Sequence, residues 1–133
     1  MSEKPRILLV DDEPVLVKMV GKRLEAEGFE LLVARDGQQG LDDVRAWNPD
    51  LIILDVALPK LTGYQVCVLL KQDPLYREIP IILFTVMASE TDRKLGYQSG
   101  ADVYVKKPFH APELIGRIRA LLQKASKNKG STG

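Results

Sequence analysis

The stretch Leu51-Ile-Ile-Leu-Asp55-Val-Ala-Leu-Pro59-Lys-Leu-Thr-Gly63 decides the fold. Four apolar residues follow Pro49-Asp50 with no polar alternation and end on a carboxylate. Such a run reads as a strand buried on both faces, the pattern of central strands in parallel sheets. The next residue, Asp55, is then delivered to the carboxyl edge of the sheet, where open α/β folds hold their ligands. Pro59 and Gly63 mark an irregular loop before the next helical pattern. Alone, an Asp after a strand is as readily a turn or capping residue as a functional one. The rest of the chain decides.

The same grammar repeats outward from this stretch. Ile7-Leu-Leu-Val10 is an apolar run that ends on Asp11, Asp12 and Glu13, with Pro14 placed to open a helix and the acids placed to cap it. Residues 14 to 27 read as that helix, with Leu16, Val20 and Leu24, joined by Met19, as its buried stripe and Gly28 as its stop. Val15 and Val17 fall off the stripe, beside the acidic cluster. Leu31 to Ala34 is a weaker strand, and a second helix runs from about Gly37 to Trp47. A third helix spans about Tyr64 to Lys71. Ile81-Ile-Leu-Phe84 is another unalternating run and ends on Thr85. The helix from about Glu90 to Gln98 is weakened by Gly96, which costs roughly 1 kcal/mol against alanine. Val103-Tyr-Val105 ends on Lys106-Lys107-Pro108, and a last helix covers about Pro112 to Lys124.

Strands alternating with helices throughout imply one α/β domain, a five-stranded parallel sheet with helices on both faces. With 133 residues the chain buries a core without metal or disulfide staples, and its single cysteine, Cys67, permits no intramolecular bridge. That cysteine usage fits a cytoplasmic location. A net charge of +1 gives no bulk attraction to nucleic acid or membrane, and no stretch reads as a membrane span or signal peptide. Residues 126 to 133 carry no apolar side chain and read as a flexible tail, a shortened linker or an expression scar, leaving 1–125 as the domain.

In a parallel sheet all strands end on one edge. Four of these strands end on Asp11-Asp12, Asp55, Thr85 and Lys106-Lys107, so three carboxylates, a hydroxyl and a lysine meet around one crevice. Carboxylates so close raise one another's pKa unless a cation intervenes. A few hard oxygen ligands suit a hydrated Mg²⁺ shared with a phosphate.

With these residues in place, the chain resembles the receiver domain of two-component response regulators, over essentially residues 5 to 125. Asp11-Asp12, Asp55-x-x-Leu-Pro59, Gly63, Thr85, Tyr104 and Lys107-Pro108-Phe109 follow the spacing of that family, in order. The resemblance implies a flavodoxin-like strand order 2-1-3-4-5. It implies that Asp55 accepts a phosphoryl group from a histidine kinase or histidine phosphotransfer protein. It implies Mg²⁺ held by Asp12, Asp55 and the backbone carbonyl of Ala57, with Asp11 assisting through water. Lys107 would pair with the phosphate and Thr85 would donate to it. Thr85 would move inward on phosphorylation, Tyr104 following from an exposed to a buried rotamer, and the Lys107–Pro108 bond would be cis. The family signals through the face of its fourth helix, fifth strand and fifth helix, to a homodimer partner or an output domain, without itself contacting nucleic acid.

Departures from the family pattern carry their own expectations. Val86 follows Thr85 where the family prefers a smaller residue, narrowing the approach. Ala57 and Met87 cannot hydrogen-bond an attacking water, which implies a long-lived aspartyl phosphate. Arg93, Asp102, Glu113 and Arg117 lie where family dimers place salt bridges, but Val103 replaces an acid of that network. Val15 and Val17 are the candidate kinase-docking residues. Other classes fit less well. A phosphatase of the haloacid-dehalogenase class wants a second Asp where Ala57 stands, and a flavin carrier wants glycines and hydroxyls where Asp11-Asp12-Glu13 would repel phosphate. A pseudo-receiver that binds partners without phosphorylation remains the alternative.

Overall fold

The structure is a computed structural model that describes residues 4–87 and 89–131, with side chains described to residue 126. Strands and helices alternate: β1 (Arg6–Val10), α1 (Pro14–Ala26), β2 (Glu30–Ala34), α2 (Gly37–Trp47), β3 (Leu51–Leu54) and α3 (Gly63–Gln72). The second half continues with β4 (Ile81–Thr85), α4 (Glu90–Gln98), β5 (Val103–Lys106) and α5 (Ala111–Ser131). All strand pairs are parallel, in the order β2-β1-β3-β4-β5.

The unalternating runs of β1, β3 and β4 are buried on both faces. Their side chains divide by the two-residue period of a strand. Leu8, Val10, Ile52, Leu54, Ile81 and Leu83 pack under α2 and α3 with Leu41, Val44, Val66 and Leu70. Ile7, Leu9, Leu51, Ile53, Ile82 and Phe84 pack under α1 and α5 with Val20, Leu24, Leu114 and Ile118. Each such aliphatic side chain contributes about 1.5–3 kcal/mol on burial, so the register of the three central strands is strongly fixed. That register aligns the strand ends.

Two elements differ from the sequence reading. The inward stripe of α1 is Val17, Val20, Gly21 and Leu24, with Leu16 packed at its edge, whereas Met19 is exposed and Val17 takes the inward place. Gly21 sits on the stripe but adds nothing to an apolar count, so the periodicity pointed one residue off. α5 continues through Ser131, past Lys124 and into the stretch read as a flexible tail. Once nucleated, a helix extends at little cost per residue, and the lysines and Ala125 here are good helix formers. Residues 132–133 lie outside the described residues.

Candidate functional site

Each site residue is held by the sheet itself. The Asp11 N–H donates to the Ala34 carbonyl at 3.0 Å, and the Asp55 N–H to the Val10 carbonyl at 2.9 Å. The Lys107 N–H donates to the Thr85 carbonyl at 2.8 Å. Three residues that immediately follow β1, β3 and β5 thus continue the ladder, and Thr85 closes β4. The loop after Asp55 folds back sharply. The Gly63 N–H reaches the Val56 carbonyl at 2.9 Å, and a Cβ on Gly63 would stand 2.2 Å from the Asp55 carbonyl oxygen. Only glycine permits that approach. A reciprocal cap between Thr62 and Gln65 then starts α3.

The ammonium of Lys107 lies 2.7 Å from Asp11 Oδ2, 3.4 Å from Asp55 Oδ2 and 3.9 Å from Glu13 Oε1. Asp11 is 1% exposed, Asp55 7%, Lys107 6% and Thr85 0%, so this charge cluster is embedded in the sheet edge. Asp12 is exposed at its rim. One carboxylate oxygen from each of Asp11, Asp12 and Asp55 lies within 4.8 Å of the others. Burial raises the Asp55 pKa above the ordinary carboxylate range. Lys107 opposes this, the charge of Asp11 adds to it, and the Ala57 N–H bonded to the carboxylate again opposes it. Burial alone would lower the Lys107 pKa. The hydrogen bond to Asp11 and the charges of Asp55 and Asp11 outweigh it, so the net shift is upward.

A second chain of contacts leaves the site along β4. The Met87 N–H donates to Thr85 Oγ1 at 3.2 Å, and the Tyr104 hydroxyl donates to the Met87 carbonyl. The backbone of one residue, Met87, therefore joins Thr85 to Tyr104 through its N–H on one side and its carbonyl on the other. Tyr104 is buried in this structure, and burial, with the Tyr64 hydroxyl nearby, holds its pKa far above the ordinary phenol value. The Lys107–Pro108 peptide is cis.

The structure therefore gathers Asp11, Asp12, Asp55, Thr85 and Lys107 at one edge, with the Ala57 N–H against Asp55. It separates the pair expected on α1. Val15 is 68% exposed, but Val17 is 8% exposed and packs in the core beneath α5. Met19, read from sequence as core, is instead 55% exposed one turn from Val15. The acids before Pro14 do not cap α1 through Glu13, whose side chain makes no cap bond. Asp11 accepts the Glu13 N–H at 3.0 Å while facing the site. Of the residues read as dimer salt bridges, Asp102 bonds Lys71 at 3.1 Å and the Ile81 N–H at 2.8 Å, and Arg93 lies over the Tyr104 ring. The sequence reading missed Glu13 as a neighbour of Lys107 and Tyr64 as a neighbour of Tyr104. Glu13 was read only as a capping acid beside Asp11 and Asp12, and Tyr64 lies in the first turn of α3, away from any strand end.

A family profile described as the response regulator receiver domain matches residues 7–119. The chain belongs to that family. The receiver is 44% identical over 121 residues to the DNA-binding response regulator MtrA of Mycolicibacterium smegmatis, covering 91% of this chain and 52% of that protein. It is 39% identical over 123 residues to the DNA-binding dual master transcriptional regulator RpaA of Synechocystis sp., covering 92% of this chain and 51% of that one. The chain spans about half the length of these curated relatives. Among solved structures, a CheY-like receiver domain protein of Methanospirillum hungatei superposes with a TM-score of 0.88 at 27% identity, covering 95% of this chain and 99% of that one. The receiver domain of a Pseudomonas aeruginosa sensor histidine kinase, with a magnesium ion coordinated in its active-site cleft, superposes with a TM-score of 0.85 at 30% identity, covering 91% and 99%. Among the described residues, no helix is long and apolar enough to cross a membrane.

Proposed function

We propose that this receiver is a phosphorylation switch that takes a phosphoryl group onto Asp55 from a histidine kinase or histidine phosphotransfer protein. The observation that carries this reading is the Lys107 ammonium set between the buried carboxylates of Asp11 and Asp55, 2.7 and 3.4 Å away. A lysine so placed holds charge on the acceptor oxygen and stands where a phosphoryl oxygen attached to it would need a cation. In the transfer, an Asp55 oxygen bonds to phosphorus as the phosphorus–nitrogen bond to the donor imidazole breaks, and that imidazole leaves with the bonding electron pair. Thr85 Oγ1 is an acceptor toward Met87, so its own proton serves a phosphoryl oxygen.

The cluster fits Mg²⁺. Three carboxylates, each with one oxygen within 4.8 Å of the others, supply a hard oxygen set of the kind that ion takes. Asp11, Asp12, Asp55 and the Ala57 carbonyl would hold it. Bound there, Mg²⁺ supplies charge neutralisation to the transferring group.

The signal leaves through Thr85, the Met87 backbone and Tyr104 to the face of α4, β5 and α5, toward a homodimer partner or an output region. Two relatives are named as DNA-binding regulators, which supports transcriptional output in the cytoplasm, with no nucleic-acid contact by the receiver itself. The donor docks on the exposed face of α1 at Val15, joined by Met19 in place of Val17. Ala57, Val86 and Met87 offer no side-chain hydrogen bond to a hydrolytic water, which supports a long-lived phosphoryl group.

Intact mass after incubation with acetyl phosphate, with and without Mg²⁺, tests the reading. One phosphoryl group gained only with Mg²⁺, and not by Asp55→Asn, is the expected result. No gain in the wild-type chain, with Mg²⁺ binding shown separately, refutes it and favours the pseudo-receiver.

A further inference from the structure

Tyr104 lies against α4 at the one point where α4 has no side chain. A Cβ on Gly96 would stand 2.6 Å from Tyr104 Cδ2 and 2.9 Å from Cε2, closer than non-bonded carbons approach. The next neighbour, Leu83 Cδ1 at 3.1 Å, is the tip of a flexible side chain that can yield. Arg93 and Tyr97 flank the same spot. The Arg93 guanidinium carbon is 5.4 Å from the Tyr104 ring centroid, and the Tyr97 ring is 6.5 Å away and tilted by 46°. Positions 93, 96 and 97 share one helix face, so α4 presents Tyr104 with a notch between two walls. The helix itself has no use for this residue, since glycine is the poorest helix former after proline.

α4 is also kept from lifting off the ring. The Tyr64 hydroxyl donates to the Asp92 carbonyl at 3.1 Å, tying the first turn of α3 to the first turn of α4. That turn of α3 begins at Gly63, against the peptide of Asp55. The helix is thus pinned at a spacing where a glycine clears the tyrosine ring and an alanine does not.

We propose that Gly96 sets the inward rotamer of Tyr104, and through it how far the face of α4 and β5 responds to phosphorylation of Asp55. The second half rests on the function proposed above. Gly96 is a positioning residue in this scheme and touches none of the reacting atoms.

A double-mutant cycle in melting temperature tests the notch without any phosphorylation. Gly96→Ala should raise Tm more in the Tyr104→Ala background, where helix propensity acts alone, than in the presence of Tyr104, where the ring is displaced. An equal or smaller gain in the Tyr104→Ala background overturns the proposal. If Gly96→Ala alone fails to fold, recovery in the double variant supports the notch and continued failure overturns it. The second arm follows nitration of Tyr104, mapped by peptide mass, before and after acetyl phosphate. Gly96→Ala should gain the phosphoryl group like the wild-type chain yet keep Tyr104 open to nitration. Protection equal to the phosphorylated wild type overturns the coupling. Failure of both chains to gain phosphoryl mass refutes the proposed function and the coupling with it, while the Tm cycle still decides the notch.

Discussion

Replacing Lys107 by methionine keeps the length and most of the apolar contact of the side chain but removes the ammonium between Asp11 and Asp55. With an effective dielectric of about 20, the attractions at 2.7 and 3.4 Å are about 6 and 5 kcal/mol. Against them stand the desolvation of three charges and the mutual repulsion of carboxylates within 4.8 Å, roughly 3.5 kcal/mol on the same scale. Removing one partner of a buried ion pair costs about 3–5 kcal/mol in practice. The lower end applies here, because Asp12 at the rim is exposed and water reaches that side. About 3 kcal/mol in a domain of this size lowers Tm by roughly 10 °C. The loss also has a signature. Without the opposing charge of Lys107 the already raised pKa of Asp55 rises further, so the folded form binds a proton more tightly than the unfolded one, and stability returns as pH falls through that value. Mg²⁺ should restore part of it at neutral pH, because it replaces the missing positive charge. Urea denaturation of both chains at neutral and mildly acidic pH, with and without Mg²⁺, measures all three effects. A loss below about 1 kcal/mol, indifferent to acid and to Mg²⁺, would refute the buried pairing.

Asp55→Asn should stabilise the chain at neutral pH. The folded pKa of Asp55 is raised above the ordinary 3.8, so its ionisation costs stability as pH climbs from the unfolded value through the folded one. The gain in Tm should vanish toward the acid end, and a less stable variant at pH 7 would contradict this. Val15→Ser with Met19→Ser should leave stability within about 0.5 kcal/mol but slow phosphotransfer from a cognate kinase more than from acetyl phosphate. Val17→Ala should instead cost about 1–2 kcal/mol with transfer from kinase and acetyl phosphate affected alike, so equal kinetics for the two kinds of variant would remove the docking assignment. Gly63→Ala should cost about 2 kcal/mol or more by forcing the loop off the Asp55 carbonyl, and should lower phosphoryl uptake, read by urea denaturation and intact mass. A stable, fully active Gly63→Ala would show that the loop tolerates the shift.

The sequence by itself determined the strands, their order in the chain and which residues terminate them. A four-residue apolar run bounded by turn residues suits a strand buried on both faces of a sheet, although the equally unalternating run at residues 66–70 is helical. A chain of alternating strands and helices makes that sheet parallel, so Asp11, Asp55, Thr85 and Lys107 had to share an edge. Their order across that edge came from family resemblance, which composition and periodicity do not supply. What only the tertiary structure decided was which near-equivalent side chain faces where. Val17 rather than Met19 turns inward, because Gly21 completes a stripe that hydropathy does not score. Asp11 rather than Asp12 takes the lysine, because the ladder bond to Ala34 fixes its direction. Asp102 bonds Lys71 and the Ile81 N–H at the start of β4, contacts that no spacing announces. Gly96, which reads along the chain as a flaw in a weak helix, meets Tyr104 across a contact of short range. Such contacts depend on ångström-scale separations between distant segments, and a one-dimensional pattern does not contain them.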